Sequence, residues 1–305
     1  MSTPRSLDRR GFVQSAGAML AAASGWSSAV AAPADNTKKT MKKAVKWGMI
    51  QLDGSVLDKF KLLKELGYDG VELDAPSSLD KKEVLRARDE TSLPIHGVVD
   101  SVHWNDTLSH SDPAVRARGV AALEQALRDS KAYGGTTVLL VPGKVERGRV
   151  SYGDVYKRSQ EEVRKVLPLA EELNIKIAIE NVWNDFLLSP LEEARYLDEF
   201  ESPFVGAYFD VGNVLRYGYP EDWIRTLGKR ILKVDIKEYS LKKMREEGLG
   251  KGFGVELLDG DNDWHAVMTA FHEIGYSGWA TAEIPGGGRE RLAKIATLMD
   301  KIFAS

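Results

Sequence analysis

Four acidic residues in the C-terminal half of the chain each close a short apolar run: Glu180 in KIAIEN, Asp210 in VGAYFD, Asp235 in LKVDIK and Glu283 in ATAEIP. Strand side chains alternate faces, so each acid takes the face opposite Ile177/Ile179, Val205/Phe209, Val234/Ile236 and Ile284 respectively. Carboxylates gathered this way would repel one another and protonate. A divalent cation can hold them ionised, so the pattern reads as a metal site. The chain has no cysteine, which excludes disulfides, thiolate ligands and a cysteine nucleophile. The ion's ligands are then oxygens, with imidazole as the remaining choice.

Acids converge only if their strands are neighbours, and the rest of the chain supplies that arrangement. Apolar runs of strand length at 44–51, 68–74, 93–99, 136–142, 175–181, 204–210, 230–236 and 278–283 alternate with amphipathic stretches of helix length. VLDKFKLLKELG, AVRARGVAALEQALRDSKAYG and VYKRSQEEVRKVLPLAEELN carry helical spacing and end at Gly or Asn, which supply C-caps. Eight strands with helical crossovers, and no Gly-rich fingerprint after the first, predict an α/β fold of the (β/α)8 TIM barrel type over 44–305. Active sites of such barrels lie at the C-terminal ends of the strands, where all four acids fall. Long connections at 100–113, 143–152 and 238–263 are expected to shape a pocket there.

The chain's first segment reads differently. Arg9-Arg10-Gly11-Phe12, the mild apolar stretch AGAMLAAASGWSSAVAA and the small residues Ala29 and Ala31 predict a twin-arginine export signal over 1–32, followed by a polar linker over 33–43. The apolar stretch is too short and too rich in Ala, Ser and Gly for a stable membrane span. The expected location is periplasmic or otherwise extracytoplasmic. Net charge is -3, or about -5 once Arg5, Arg9, Arg10 and Asp8 are removed. An acidic domain without a basic block is a poor nucleic-acid binder, which leaves a small molecule as the partner; a homo-oligomer stays open.

The segments IAIEN, YFDVGN, VDIKEYS and GYSGWATAEIP, with DGDNDW before the last, resemble the xylose-isomerase-like TIM barrels. This is the sugar isomerase/epimerase superfamily that includes tagatose 3-epimerase and hydroxypyruvate isomerase. In its epimerases one divalent ion is held by a Glu, an Asp, a His and a second Glu from successive strands. The resemblance maps these onto Glu180, Asp210, Asp235 and Glu283, with Asp235 where the His would stand. That departure makes the site harder and favours Mg²⁺ or Mn²⁺, with Co²⁺ also used in the family, over Zn²⁺. The resemblance also implies that Glu180 and Glu283 act as the catalytic acid/base pair. Asn213 falls where the family often has a substrate-touching His; an amide can orient a hydroxyl but cannot transfer a proton.

Further residues are expected around the substrate. Lys237 shares the inward face of Asp235 and either pairs with the acids or polarises a substrate oxygen. Glu238 is a replacement ligand should Asp235 fall short. Glu72 either binds a distal hydroxyl or is a buried carboxylate paired with Lys. His103-Trp104 after strand three and Trp183 after Glu180 are candidates to overhang a sugar ring, with Lys144 and Tyr152 within reach. His96 reads as a satisfied barrel histidine. Gly286-Gly287-Gly288 reads as a tight turn in preference to a phosphate cradle.

The leading functional expectation is an exported, divalent-metal-dependent sugar isomerase or epimerase working through an enediolate. The same groups could serve a lyase that cleaves 3-keto-glycosides by β-elimination. A nuclease of the endonuclease IV type is disfavoured by five mostly misplaced histidines on an acidic chain. A non-catalytic sugar-binding protein would leave the acids without a partner.

Overall fold

The computed structural model describes residues 41–305. The export signal and most of the linker expected from the sequence lie outside those residues. Eight strands, β1 Lys42–Lys46, β2 Gly70–Ala75, β3 Ile95–Asp100, β4 Thr137–Leu140, β5 Lys176–Glu180, β6 Val205–Asp210, β7 Ile231–Ile236 and β8 Trp279–Ala282, pair in sequence order and all in parallel into a closed barrel. The (β/α)8 barrel expected from the sequence is therefore the observed fold. Among the described residues ten helices surround it: α1 Val56–Glu65, α2 Lys81–Thr91, α3 Pro113–Tyr133, α4 Tyr152–Leu173, α5 Pro190–Asp198, α6 Val211–Val214, α7 Pro220–Leu227, α8 Leu241–Glu247, α9 Trp264–Glu273 and α10 Arg289–Phe303. None of the helices described is long and apolar enough to cross a membrane.

Local chemistry explains where the long helices begin and end. Ser55 and Ser151 accept from the amides of Asp58 and Asp154, whose carboxylates accept in return from the serine amides, so α1 and α4 each start in a capping box. Gly134 and Asn174 close α3 and α4 in the left-handed region at φ 83° and 55°. The strand faces turned toward the helices carry the apolar core, with Val71, Ile177, Phe209 and Val234 fully buried.

The barrel interior is unusual for its polarity. Directly beneath the acids, Tyr208 donates to Glu72 at 3.0 Å and meets the Thr281 hydroxyl at 3.1 Å. Thr281 in turn lies 3.1 Å from His96 Nε2, and the Lys233 ammonium donates to the His96 carbonyl at 3.2 Å. Trp279 stacks on His96 with ring centroids 4.7 Å apart and closes the bottom. His96 is thus a satisfied interior histidine, as expected. The polar groups satisfy one another in a single column, so a buried charge-bearing interior is tolerated.

Away from the barrel mouth, a further buried acid has neither a hydrogen bond nor an ion pair among the described residues. Glu193 on α5 is fully buried with neither carboxylate oxygen hydrogen-bonded, and burial pushes its pKa up to about 8 from its ordinary 4.5. The folded state holds this proton more tightly than the unfolded chain. The associated stability is therefore present below pH 4.5 and is lost as pH rises toward 8. The loss should amount to roughly 5 kcal/mol. Glu193→Gln should remove that slope, so the stability difference between variant and parent, followed by urea unfolding from pH 5 to 8, should widen with pH. A constant difference would show that Glu193 ionises normally.

Candidate metal and acid/base site

The four acids meet at the barrel mouth because of strand register. A shift in the β6–β7 pairing after Ala207 sets Tyr208 opposite Lys233 and Asp210 opposite Asp235, while Glu180 lies opposite Tyr208. Glu283 follows the last residue of β8, and its amide donates to the Ile236 carbonyl at 3.1 Å. One oxygen from each of Glu180, Asp210, Asp235 and Glu283 can be chosen so that all lie within 4.8 Å of one another. Asp210 and Asp235 are fully buried and Glu180 is nearly so.

Two lysines enter this cluster. Lys46, the last residue of β1, places its ammonium 2.8 Å from Asp235, 3.3 Å from Glu283 and 3.8 Å from Glu72. Lys237 lies 3.0 Å from Asp210 and 3.4 Å from Glu283. They offset only part of the charge of the carboxylates around them. Burial pushes the Glu180 pKa up to about 8, with the Glu283 charge adding to it. Burial likewise raises Asp210 to about 6 against the pull of Lys237, and holds Asp235 well above the usual carboxylate range. For Glu283 burial is outweighed by Lys46 and Lys237, which draw it below its ordinary value.

The donor set fits a hard divalent ion. Both Asp235 oxygens and Glu283 Oε2 are buried without a hydrogen-bond donor; the Lys46 contact to Asp235 is an ion pair that lacks hydrogen-bonding geometry. Four convergent carboxylates with orphaned oxygens are the ligands such an ion requires, and its charge would draw their pKa values down together. Glu238, the alternative ligand, is committed elsewhere. It accepts from the amides of Tyr239, Leu258 and Asn262 and from the Trp264 indole, and so ties the β7–α9 connection together. Gly260 backs onto this carboxylate so closely that a Cβ there would lie 2.4 Å from Glu238 Oε1.

The remaining sequence-predicted residues fall into two groups. Lys237 joins the acids, and Glu72 lies one layer below them, bonded to Tyr208 and near Lys46. His103 is buried, and its Nδ1 accepts from the Val141 amide at 3.2 Å, which leaves the proton on Nε2. Burial first, and then the Lys46 charge, lower its pKa to about 3, so it is a neutral donor. Trp104 packs edge-on against His103, 40% exposed. The Asn213 side chain donates to the Asn181 carbonyl at 3.0 Å, and the Trp183 indole donates to the Asn213 carbonyl at 2.9 Å. Lys144 pairs with Glu146, and Tyr152 donates to Glu192. Gly287 donates to the Met49 carbonyl, and a Cβ on Gly286 would lie 2.0 Å from that same oxygen. Gly287 thus forms a parallel bridge with Ile50, in place of the tight turn expected from the sequence, because its amide and carbonyl pair with the strand-like segment that follows β1.

Sequence reasoning missed Lys46 and Phe253. Phe253 packs tilted against Trp183 and edge-on against Tyr239, both at 4.7 Å, and lies under the Lys237 ammonium at 5.1 Å, which makes an aromatic wall beside the acids. Nothing local marks Phe253, which ends the 3-10 helix Leu249–Phe253 after α8. Tyr208, Lys233 and Thr281 were also unremarked, although each stands two residues before an inward acid and so shares its face.

The family model described as xylose isomerase-like TIM barrel matches residues 60–302. The L-ribulose-5-phosphate 3-epimerase UlaE of Escherichia coli is 24% identical over 169 residues, covering 52% of this chain and 59% of that protein. The chain thus matches a little over half the length of that relative. Among solved structures, the 3-keto-D-glucoside 4-epimerase YcjR of E. coli in its apo form superposes with a TM-score of 0.73 at 16% identity, covering 87% of this chain and all of that one. A D-tagatose 3-epimerase-like protein gives 0.72 at 19% identity, over 87% and 97% of the two chains. The D-allulose 3-epimerase of Methylomonas sp. in complex with D-allulose gives 0.67 at 18% identity, over 86% and 97%. At these identities the likeness is one of fold.

Proposed function

Because the chain belongs to the xylose isomerase-like TIM barrel family, we propose that it is a divalent-metal-dependent sugar isomerase or epimerase that moves a proton between Glu180 and Glu283. The convergence of Glu180, Asp210, Asp235 and Glu283 at the barrel mouth carries this reading. These four would hold the ion, which would supply positive charge toward oxygens that become negative during the reaction.

The chain's own groups do the rest. One glutamate takes the proton from the carbon beside a carbonyl, and the electron pair forms the enediolate. Return of a proton to the neighbouring carbon gives isomerisation; return to the opposite face of the same carbon gives epimerisation. In this reading the neutral His103 and the charged Lys237 donate to substrate oxygens, and Trp183 and Trp104 pack against the sugar. Glu72 and Tyr208 support Lys46 from below. The commitment of the Gly286–Gly287 backbone to Met49 favours an unphosphorylated sugar.

The half-buried rings of Trp183 and Phe253, backed by the buried Tyr239, favour a second reading, since they offer apolar surface beyond one sugar ring. In that reaction a base removes the proton beside a 3-keto group and the electron pair forms a carbon–carbon double bond. The glycosidic C–O bond breaks, and the leaving oxygen takes a proton. A structural neighbour is described as acting on a 3-keto-glucoside. Incubating the purified protein, loaded in turn with Mn²⁺, Mg²⁺ and Co²⁺, with free sugars and 3-keto-glycosides separates the two. Isomer formation supports the first, aglycone release the second, and turnover of neither class would overturn both.

A further inference from the structure

A groove of about 530 Å³ opens on the same end of the barrel as the acids, between the connection from α6 to α7 and helix α8. Its walls include Arg216, Tyr217, Tyr219, Arg245 and Asp261. Tyr217 and Tyr219 are 38% and 68% exposed, which is high for aromatic rings in a concave site. Neither Arg216 nor Arg245 has a carboxylate partner among the described residues. Asp261 spends one oxygen on the Leu241 amide at 2.7 Å. The groove connects to the acid cluster through side chains in contact: Arg216 lies over Trp183 at 5.1 Å, Trp183 packs on Phe253, and Phe253 lies under the Lys237 ammonium that pairs with Asp210.

These features select the chemistry of the occupant. Exposed aromatic faces suit the C–H face of a pyranose ring, and free guanidinium donors beside a carboxylate acceptor suit its hydroxyls. An anion would meet the nearby carboxylates of Asp261, Asp263 and Glu221, and the concavity has the size of a small-molecule site. We propose that this groove is a second sugar-ring subsite, so that the substrate is a glycoside of at least two rings reaching from the acid cluster past Trp183 into the groove. The inference rests on the sugar-enzyme reading above and narrows its substrate class.

The test is calorimetric binding of cellobiose, maltose and lactose, with glucose and galactose as single-ring controls, to the full-length protein loaded with Mn²⁺. The parent should bind at least one disaccharide about tenfold more tightly than its component sugars. The exposed double variant Tyr219→Ala/Arg245→Ala should lose that preference while single-ring affinity stays unchanged. Equal affinity for one and two rings in the parent, no binding by any of the sugars, or a preference retained in the double variant would each overturn the subsite. So would a change of oligomeric state in the variant, by sedimentation, with sugar binding unaltered, because the groove would then be a contact between copies. Disaccharide preference without turnover of any sugar would keep the subsite and remove the isomerase reading. Single-ring turnover with no preference would do the reverse.

Discussion

Glu283→Gln and Glu180→Gln should each lower turnover by roughly a thousandfold, the scale of a lost general acid or base. Glutamine keeps the shape of the side chain and removes its ability to carry a proton. The environments of the two residues already differ. Glu180 is buried among other acids and held toward its protonated form, whereas Lys46 at 3.3 Å and Lys237 at 3.4 Å keep Glu283 ionised. A bound ion would lower both, so the two variants are compared in the metal-loaded protein. Because both residues are also proposed ligands, bound metal must be measured in each variant. Loss of turnover with metal retained isolates the proton-transfer role, and full activity in either variant would contradict it.

Asp235→Ala should weaken binding of Mn²⁺ by at least about a hundredfold, since even loss of an outer partner of a metal ligand costs 10–100-fold. Asp235 is fully buried, its two oxygens lack hydrogen-bond donors, and its nearest cation is Lys46. Asp235→His, which installs the residue the family resemblance places there, should retain the ion. Metal content of the purified variants and equilibrium titration provide the readout, independent of activity. Unchanged affinity in Asp235→Ala would leave a three-residue site of Glu180, Asp210 and Glu283.

The acids were legible because parity is a local property. A carboxylate at the end of an apolar run declares its face, and four such runs in order declare a common mouth. Helix ends at Gly134 and Asn174 were legible for the same reason, since left-handed caps are written in one residue. Lys46 was not. A lysine in a first strand ordinarily faces water, and its inward position depends on β1 pairing with β2 at one edge and β8 at the other, partners far away in sequence. The run read as 44–51 also stops at Lys46, where a 3-10 turn over Trp47–Met49 carries the chain off the barrel.

Glu238 and Glu193 make the complementary point. From sequence Glu238 was a spare ligand, but its role is set by a connection that folds back twenty residues later to offer it amides. Glu193 stands in the first turn of α5, where acids commonly face solvent and favour the helix dipole, yet it is fully buried. Charge alone did not distinguish these residues from the four at the mouth. Packing did.

The central claim is proton transfer at carbon beside a carbonyl, and deuterium labelling of the turned-over sugar is its most direct test. With the Mn²⁺-loaded protein in D₂O, the product should carry deuterium at the carbon that is deprotonated and reprotonated, or at its neighbour after isomerisation, and both Glu→Gln variants should lose the label along with turnover. Product free of deuterium from an active parent enzyme would contradict exchange through the two glutamates, and would point to direct hydrogen migration within the bound sugar.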